Sequence, residues 1–332
     1  MNTNSWIKKA VLGGKIAFTG SLLYLLAFQL DFQKVEELFN HISLVVLLVA
    51  IGLHLVAFLC GGLRWWLLLR NIEPQCNYYD IFPAYYLGLF SNNFLPTGFG
   101  GDAVRTAYLS IRGYPIKNLL ASTIMDRALG LMVLLLTGLL TILLQKTFLI
   151  DRISILFIFG VTLIFFISGW ILFSPIILNW LLKSQQTKHH NHLYEFMIDF
   201  LKIFHVYRQT PNLLLNATLL SLLSQAIVIG IYAMLGYSLG LSLPLIAYFI
   251  IVPLVMLATN IPISLGGLGL RESALVTLMY GAGVNYEQGV LLSFLYLLVL
   301  LGATLPGGLV MIKIRLPCTI FPYNISSSIK ET

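Results

Sequence analysis

The run Asn93-Phe94-Leu95-Pro96-Thr97-Gly98-Phe99-Gly100-Gly101-Asp102-Ala103-Val104-Arg105 carries a proline, three glycines, an acid and a base between apolar segments long enough to cross a bilayer. A second run, Pro262-Ile263-Ser264-Leu265-Gly266-Gly267-Leu268-Gly269-Leu270-Arg271-Glu272, repeats its skeleton. Both read Pro, three residues, Gly-Gly, three residues, Arg, and Asn93 or Asn260 precedes each proline. With 27 glycines in 332 residues, a Gly-Gly pair at a fixed offset arises by chance at about 0.7 % per position, which supports an internal repeat.

The sequence around these runs sets their surroundings. The chain is 58 % hydrophobic and 10 % charged, with a mean hydropathy of +0.88, against a usual charged content of about 25 %. Apolar runs cover about residues 11–30, 42–69, 119–144, 153–182, 212–239 and 286–312, each near the roughly 20 residues that a membrane-crossing helix needs. No small-residue cleavage site follows the first run, so a retained helix is expected rather than a signal peptide. The net charge of +7 sits mostly in short loops. It reads as topology, not as nucleic-acid binding. Cys60, Cys76 and Cys318 match no metal spacing, and their odd number argues against a disulfide framework.

Lys8, Lys9 and Lys15 before the first span, and the acidic loop after it, place the N-terminus in the cytoplasm. Lys313 and Arg315 place the C-terminus there too. Trp65 and Trp66 between Arg64 and Arg70 suit the cytoplasmic interface, and Arg64, the deeper arginine, is a candidate for lipid phosphate. Segments 78–111 and 244–283 each start and finish on one side, as re-entrant hairpins do. The charge pattern has the first dip in from the cytoplasm and the second from outside. The expected fold is therefore an all-α polytopic membrane protein with about six full transmembrane helices plus two re-entrant broken-helix hairpins in an inverted repeat. Residues 1–316 form one transmembrane domain on this reading, with a polar cytoplasmic loop over 183–210 and a short tail over 317–332.

Ionisable residues inside membrane segments are costly, and so mark functional candidates. Here they are Asp102, Arg105, Asp126, Arg127, Arg271 and Glu272. A helix broken by Pro and Gly frees backbone N–H groups that favour an anion, and Arg105, three residues past Asp102, can add a bidentate grip on phosphate. Asn93, Pro96, Gly100, Gly101, Asn260, Pro262, Ser264, Gly266, Gly267 and Gly269 complete the expected binding segments. The competing reading makes Asp102–Arg105 and Asp126 with Arg105 or Arg127 internal ion pairs that fix packing. His189-His190-Asn191-His192 reads as a solvated loop, not a metal site. With no P-loop, Gly-x-Ser-x-Gly or His-Glu-x-x-His motif, no catalytic, metal or cofactor site is expected.

Leu63-Arg64-Trp65, Asn92-Asn93-Phe94-Leu95-Pro96 with Gly101-Asp102 and Arg105, the Asp126-Arg127 pair, and Pro262, Ser264, Gly266, Gly267, Gly269 and Glu272 together resemble the lysylphosphatidylglycerol synthase transmembrane (flippase-like) family. The resemblance runs from about residue 10 to 315. It implies a multi-pass domain that moves or accommodates a polar lipid; in bifunctional members that lipid is aminoacylated by an attached soluble domain. Only 17 residues follow Arg315, so aminoacyl transfer is not expected of this chain. Asp102 and Asp126 stand where the resemblance leads one to expect Glu, Leu265 where Pro is frequent, and Tyr296 where Arg is common.

These readings converge on a flippase-like transporter of the cell inner membrane that binds a phospholipid or other polar lipid between two broken-helix hairpins. A separate lipid-modifying enzyme is the expected protein partner. Arg105 and Arg271 are expected to hold phosphate, with Asp102 and Glu272 orienting them. The alternative is an integral-membrane enzyme, or an accessory subunit, of lipid or glycolipid synthesis, which would need an acid or base beside a nucleophile.

Overall fold

The computed structural model describes residues 3–28, 42–95, 99–144, 192–260, 264 and 266–313, with isolated positions at 33, 35 and between 159 and 176. Regular structure among them is helical throughout: α1 (Thr3–Phe28), α2 (Leu44–Ile72), α3 (Tyr78–Asn92), α4 (Gly100–Ile111), α5 (Ile116–Leu144), α6 (His192–Arg208), α7 (Pro211–Ser238), α8 (Leu245–Thr259), α9 (Leu270–Gly281) and α10 (Tyr286–Lys313). Among the described residues, Leu44–Ile72, Ile116–Thr141, Pro211–Ser238 and Tyr286–Ile312 are long and apolar enough to cross a membrane. These spans make the protein a membrane-embedded helical bundle. Their outward faces carry exposed apolar side chains, among them Leu44, Leu53, Leu136, Leu219 and Leu309, which suits hydrocarbon rather than water. The expected first span overlaps α1, which is not among these four spans; the expected span over 153–182 lies largely outside the described residues, as do 183–191 and 317–332.

Local chemistry sets the helix ends. Ser43 and Asn77 cap α2 and α3, their side-chain oxygens accepting the N–H of Val45 and Tyr79. After α4 the chain turns at Gly113 (φ 93°), and the Tyr114 N–H donates to the Leu109 carbonyl. After α9 it turns at Gly283 (φ 83°), with Val284 N–H donating to Met279. Both turns need a left-handed residue, which glycine supplies without a steric cost.

Two runs of four helices have matching lengths. α2, α3, α4 and α5 span 29, 15, 12 and 29 residues; α7, α8, α9 and α10 span 28, 15, 12 and 28. Their packing matches as well. α3 lies on α10 as α8 lies on α5, α2 meets α10 as α7 meets α5, and α2 packs against α7 between them. Gly308 faces Phe90 across the α3–α10 contact, and Gly138 faces Pro253 across α8–α5. α2 and α7 run antiparallel: Leu68 shares a core cluster with Ala217, Arg64 donates to Ser221, and Ala50 packs among Ile229 to Leu235.

The expected hairpins are both broken, but not in the expected register. Gly100 and Gly101 are the first residues of α4, whereas Gly266 and Gly267 lie in the break before α9, with φ of 54° and 82°. Counted by helix, Asp102 corresponds to Glu272, each the third residue, and Arg105 does not correspond to Arg271. The second break is longer, so equal spacing in sequence becomes unequal spacing in structure. Pro96, Pro262 and Leu265 lie outside the described residues. The polar segment 183–210, read as a loop, holds α6, whose Phe204 and Tyr207 are buried against Leu68 and Ala217. Apolar residues at Ile203, Phe204 and Tyr207 give it the 3- and 4-residue spacing of one packed face.

Close backbone approaches hold the short helices in place. A Cβ on Gly101 would strike the Gly88 carbonyl and the Asn92 side chain, and one on Gly307 would strike the Tyr86 carbonyl and Phe90. Overpacking of this kind costs about 1–3 kcal/mol. We expect Gly307→Ala to lower thermal stability in detergent by such an amount. Gly230→Ala, where nothing lies within 4 Å, should be neutral or mildly stabilising. Equal effects of the two changes would contradict this packing.

Candidate functional site

Two adjoining cavities of about 230 and 330 Å³ open within the bundle, the first the more polar of the two. Leu89, Asn92, Arg127, Leu134, Gln225 and Asn260 line both. The two breaks meet here: Gly266 lies against the Asn92 carbonyl, where any side chain would collide.

Five charged residues form a chain along the first cavity. Arg64 donates through Nε to Asp126 (2.6 Å) and through Nη1 to Ser221 (2.8 Å). Arg105 Nη2 lies between Asp126 (3.2 Å) and Asp102 (3.0 Å), and Arg127 Nε donates to the far oxygen of Asp102. Three guanidiniums thus meet two carboxylates. Spacing brings them together: Asp102 and Arg105 are one turn apart on α4, and Asp126 and Arg127 reach different partners from adjacent positions on α5. Gly130 leaves room for the Arg64 guanidinium, which lies 3.5 Å from where its Cβ would be.

Arg105 is buried among protein groups, although its Nε has no hydrogen-bond partner among the described residues. Its guanidinium stacks 4.1 Å from the Trp65 ring and 5.3 Å from Tyr85, a contact worth about 0.5–2 kcal/mol. Its side chain is 4 % exposed, against 12 % for Arg64 and 26 % for Arg127. Trp65, expected at the membrane interface, is fully buried for this reason, and its indole N–H donates to Ser122. Trp66 keeps an interfacial partner, with Arg70 over its ring.

The second cavity is mostly neutral. Arg271 places two donors on one oxygen of Glu272 (2.6 and 3.1 Å), while the other oxygen accepts the Gly269 N–H at 2.6 Å. Tyr296 lies under the Arg271 guanidinium at 5.6 Å, and buried His54 packs edge-on to Tyr296. Asn93 reaches across to Thr304 Oγ1 (2.8 Å), and Asn260 donates to its own helix at Met256. Ser264 is buried with an unpartnered hydroxyl. Gly267 packs on Thr259 and Gly269 on Leu22 of α1.

Of the backbone amides freed at the breaks, which were expected to bind an anion, one at each break is taken by a protein group. Asn92 Oδ1 accepts the Gly101 N–H at 2.7 Å, and Glu272 accepts that of Gly269. With Arg105 and Arg271 each below a tenth exposed, Arg127 and Arg64 are the cavity's accessible cations. Sequence reasoning passed over Ser221 and Gln225 and read Trp65 as interfacial rather than as a wall of the Arg105 site. Ser221 and Gln225 were legible as polar residues within an apolar span, four apart on one face of α7; Trp65 gave no such signal. Outside the spans, burial with Asp80 and Glu73 nearby pushes the Cys76 thiol up to about 12.

The family model described as Lysylphosphatidylglycerol synthase TM region matches residues 11–307. The chain belongs to that family. Among curated proteins no match is found.

Because Asp126 serves both Arg64 and Arg105, Asp126→Asn leaves two buried guanidiniums undercompensated. We expect a loss of about 3–5 kcal/mol, read as a large drop in melting temperature. Arg127→Gln, at the most exposed end of the chain, leaves Asp102 on Arg105 and should cost clearly less. The reverse order would show that Arg127, not Asp126, holds the network together.

Proposed function

We propose that the protein is a flippase-like transporter that binds an anionic or zwitterionic phospholipid head group in the paired cavities and moves it between leaflets. The observation that carries this reading is Arg127, which borders both cavities within a membrane-embedded bundle and stands beside Asp102, Arg105 and Arg64. Family membership supports the same class of function. The alternative, an integral-membrane enzyme or accessory subunit of lipid synthesis, is less well supported, because Asp102, Asp126 and Glu272 each engage arginines. A carboxylate paired with a guanidinium is a weakened base.

The proposal includes the finer architecture. The matched helix lengths, matched packing and antiparallel α2 and α7 support two inverted repeats, each with one re-entrant broken-helix hairpin and entering from opposite faces of a bundle of about six spans. Basic loops support an orientation with both termini in the cytoplasm; an inner-membrane location and a separate lipid-modifying enzyme as partner complete the proposal. In this arrangement the turns at 112–115 and 282–285 face opposite sides. Lys117→Cys should label with an impermeant maleimide only from the cytoplasmic side and Asn285→Cys only from outside. Background should be low after Cys318→Ser, because Cys60 and Cys76 are buried. Labelling of both from one side would refute the inversion.

Transport is tested in proteoliposomes carrying a head-group-labelled anionic phospholipid, with the outer leaflet bleached by an impermeant reductant. The wild type should move the lipid faster than protein-free vesicles do. Arg127→Gln should slow it about tenfold, equivalent to ~1.4 kcal/mol of barrier, without matching loss of stability; Arg127→Lys should recover part, since an ammonium lacks the bidentate fork. Wild-type protein that moves no lipid faster than empty vesicles would overturn the proposal.

A further inference from the structure

Of the six described residues that line both cavities, one is Arg127 and three are side-chain amides, Asn92, Gln225 and Asn260. A carboxamide inside a membrane-embedded bundle is costly unless its polar atoms are satisfied. Asn92 is half employed, its oxygen accepting the Gly101 N–H. Asn260 donates through Nδ2 to the Met256 carbonyl, and among the described residues its Oδ1 has no partner. Gln225 makes no hydrogen bond with any described residue, and its Nε2 is buried. The Oδ1 of Asn260 and the Oε1 of Gln225 are not sealed in this way; both remain accessible where the cavities join.

Two accessible amide oxygens call for donors. An ionised phosphate only accepts, so it cannot serve them. The donor is either an ammonium or a hydroxyl, and charge decides between the two. Among the described residues that line the second cavity, Arg127 and Arg271 carry charge and no carboxylate does. Asp102 borders the first cavity and an apolar groove between α4 and α5, and Asp126 borders the first cavity alone. The oxygens of Glu272 are taken by Arg271 and the Gly269 N–H. An aromatic face can hold an ammonium without an acid. Here the Tyr296 ring already lies under Arg271, and Phe58 is packed T-shaped against His54 and Tyr86. An ammonium in this cavity would meet two guanidiniums and no compensating acid, and like charges repel most where the dielectric is low. A hydroxyl donates without bringing charge.

We infer that the second cavity takes an uncharged, hydroxylated part of the head group, a polyol such as glycerol or a sugar joined to the phosphate, and disfavours an amine. The phosphate lies at Arg127, and the hydroxyls beyond it donate to Asn260 and Gln225. Lysylphosphatidylglycerol, the lipid in the family's description, carries ammonium groups and is therefore a poor ligand for this chain. The inference rests on the lipid-binding reading above and narrows it from any anionic or zwitterionic head group to one class.

Short-chain lipids that share acyl chains and differ only beyond the phosphate test it, with affinities for the full chain in detergent read by calorimetry. Phosphatidylglycerol should bind at least about tenfold tighter than phosphatidylpropanol, which has the same charge and carbon count without the hydroxyls. Phosphatidylethanolamine and lysylphosphatidylglycerol should fall below phosphatidylglycerol by at least as much. Phosphatidylinositol tells a ring polyol from glycerol: whichever of the two binds tighter, both should exceed phosphatidylpropanol. Gln225→Leu with Asn260→Leu should bring phosphatidylglycerol down to the level of phosphatidylpropanol. Asn260→Asp, which sets a carboxylate in the cavity, should turn the preference toward phosphatidylethanolamine. The comparison of lipids on the wild type stands whether or not these variants fold. Equal wild-type affinities for phosphatidylglycerol and phosphatidylpropanol, or an amine lipid bound as tightly as phosphatidylglycerol, would overturn the inference while leaving lipid binding intact. No binding by any of the five lipids would overturn both.

Discussion

The carboxylate of Asp126 ties the bundle together. From α5 it holds Arg64 of α2 and Arg105 of α4, and Arg64 extends the link to Ser221 of α7. Each ionised residue costs about 2.5–3.5 kcal/mol to place at the centre of a membrane helix, so these charges persist only where partners compensate them. Compensation demands register. A one-residue slip of α5 turns Asp126 by about 100°, away from both arginines. The apolar contacts of α2, α5 and α7 would tolerate many registers in lipid, where hydrophobic burial drives little association. The shared carboxylate selects one of them, the best-attested service of a buried polar group.

The breaks obey the same demand for satisfaction, by two different means. A helix end at membrane depth exposes amides that lipid cannot pair. At α4 the side chain of Asn92, from the preceding helix, takes the Gly101 N–H. At α9 Glu272 takes the Gly269 N–H itself. That difference propagates. Asp102 and Glu272 hold the same helical position, yet Asp102 is relieved of capping and spends both oxygens on arginines, whereas Glu272 divides itself between the backbone and Arg271. One asparagine in the first half thus lets an acid enter an extended ionic chain.

The sequence made the membrane class legible, along with four long helices, the positions of both breaks and the charged residues of the cavity, because hydropathy and helix-breaking residues act locally. The pairing of Asp102 with Arg105 was legible for the same reason, as an i, i+3 pair. The connection from Asp126 to Arg64 was not, since it joins residues 62 positions apart and depends on how α2 leans on α5. The equivalence of Arg105 and Arg271 was misread: the Gly-Gly spacing that suggested it falls inside a helix once and in a left-handed turn once. The fate of the freed amides also depended on tertiary contact. α6 was hidden by its polar flanks, although its apolar spacing was on view.

The two halves share lengths and packing but not charge, and that asymmetry matters most for a ligand. Among the described residues beside the cavities, the cluster of the first half sets three arginines against two acids; that of the second half has one of each, with His54, Tyr296, Asn93 and Thr304 near by. In the transport reading, a phosphate crossing from one cavity to the other leaves a cationic wall for a hydrogen-bonding one, and the low dielectric magnifies the difference. Arg127 softens that step, because its side chain borders both cavities and the groove between α4 and α5. A cation at the junction can accompany the phosphate while Arg64 and Arg105 stay fixed on Asp126. In that reading the work is divided between neighbouring residues of one helix: Asp126 holds the bundle, and Arg127 would serve the ligand.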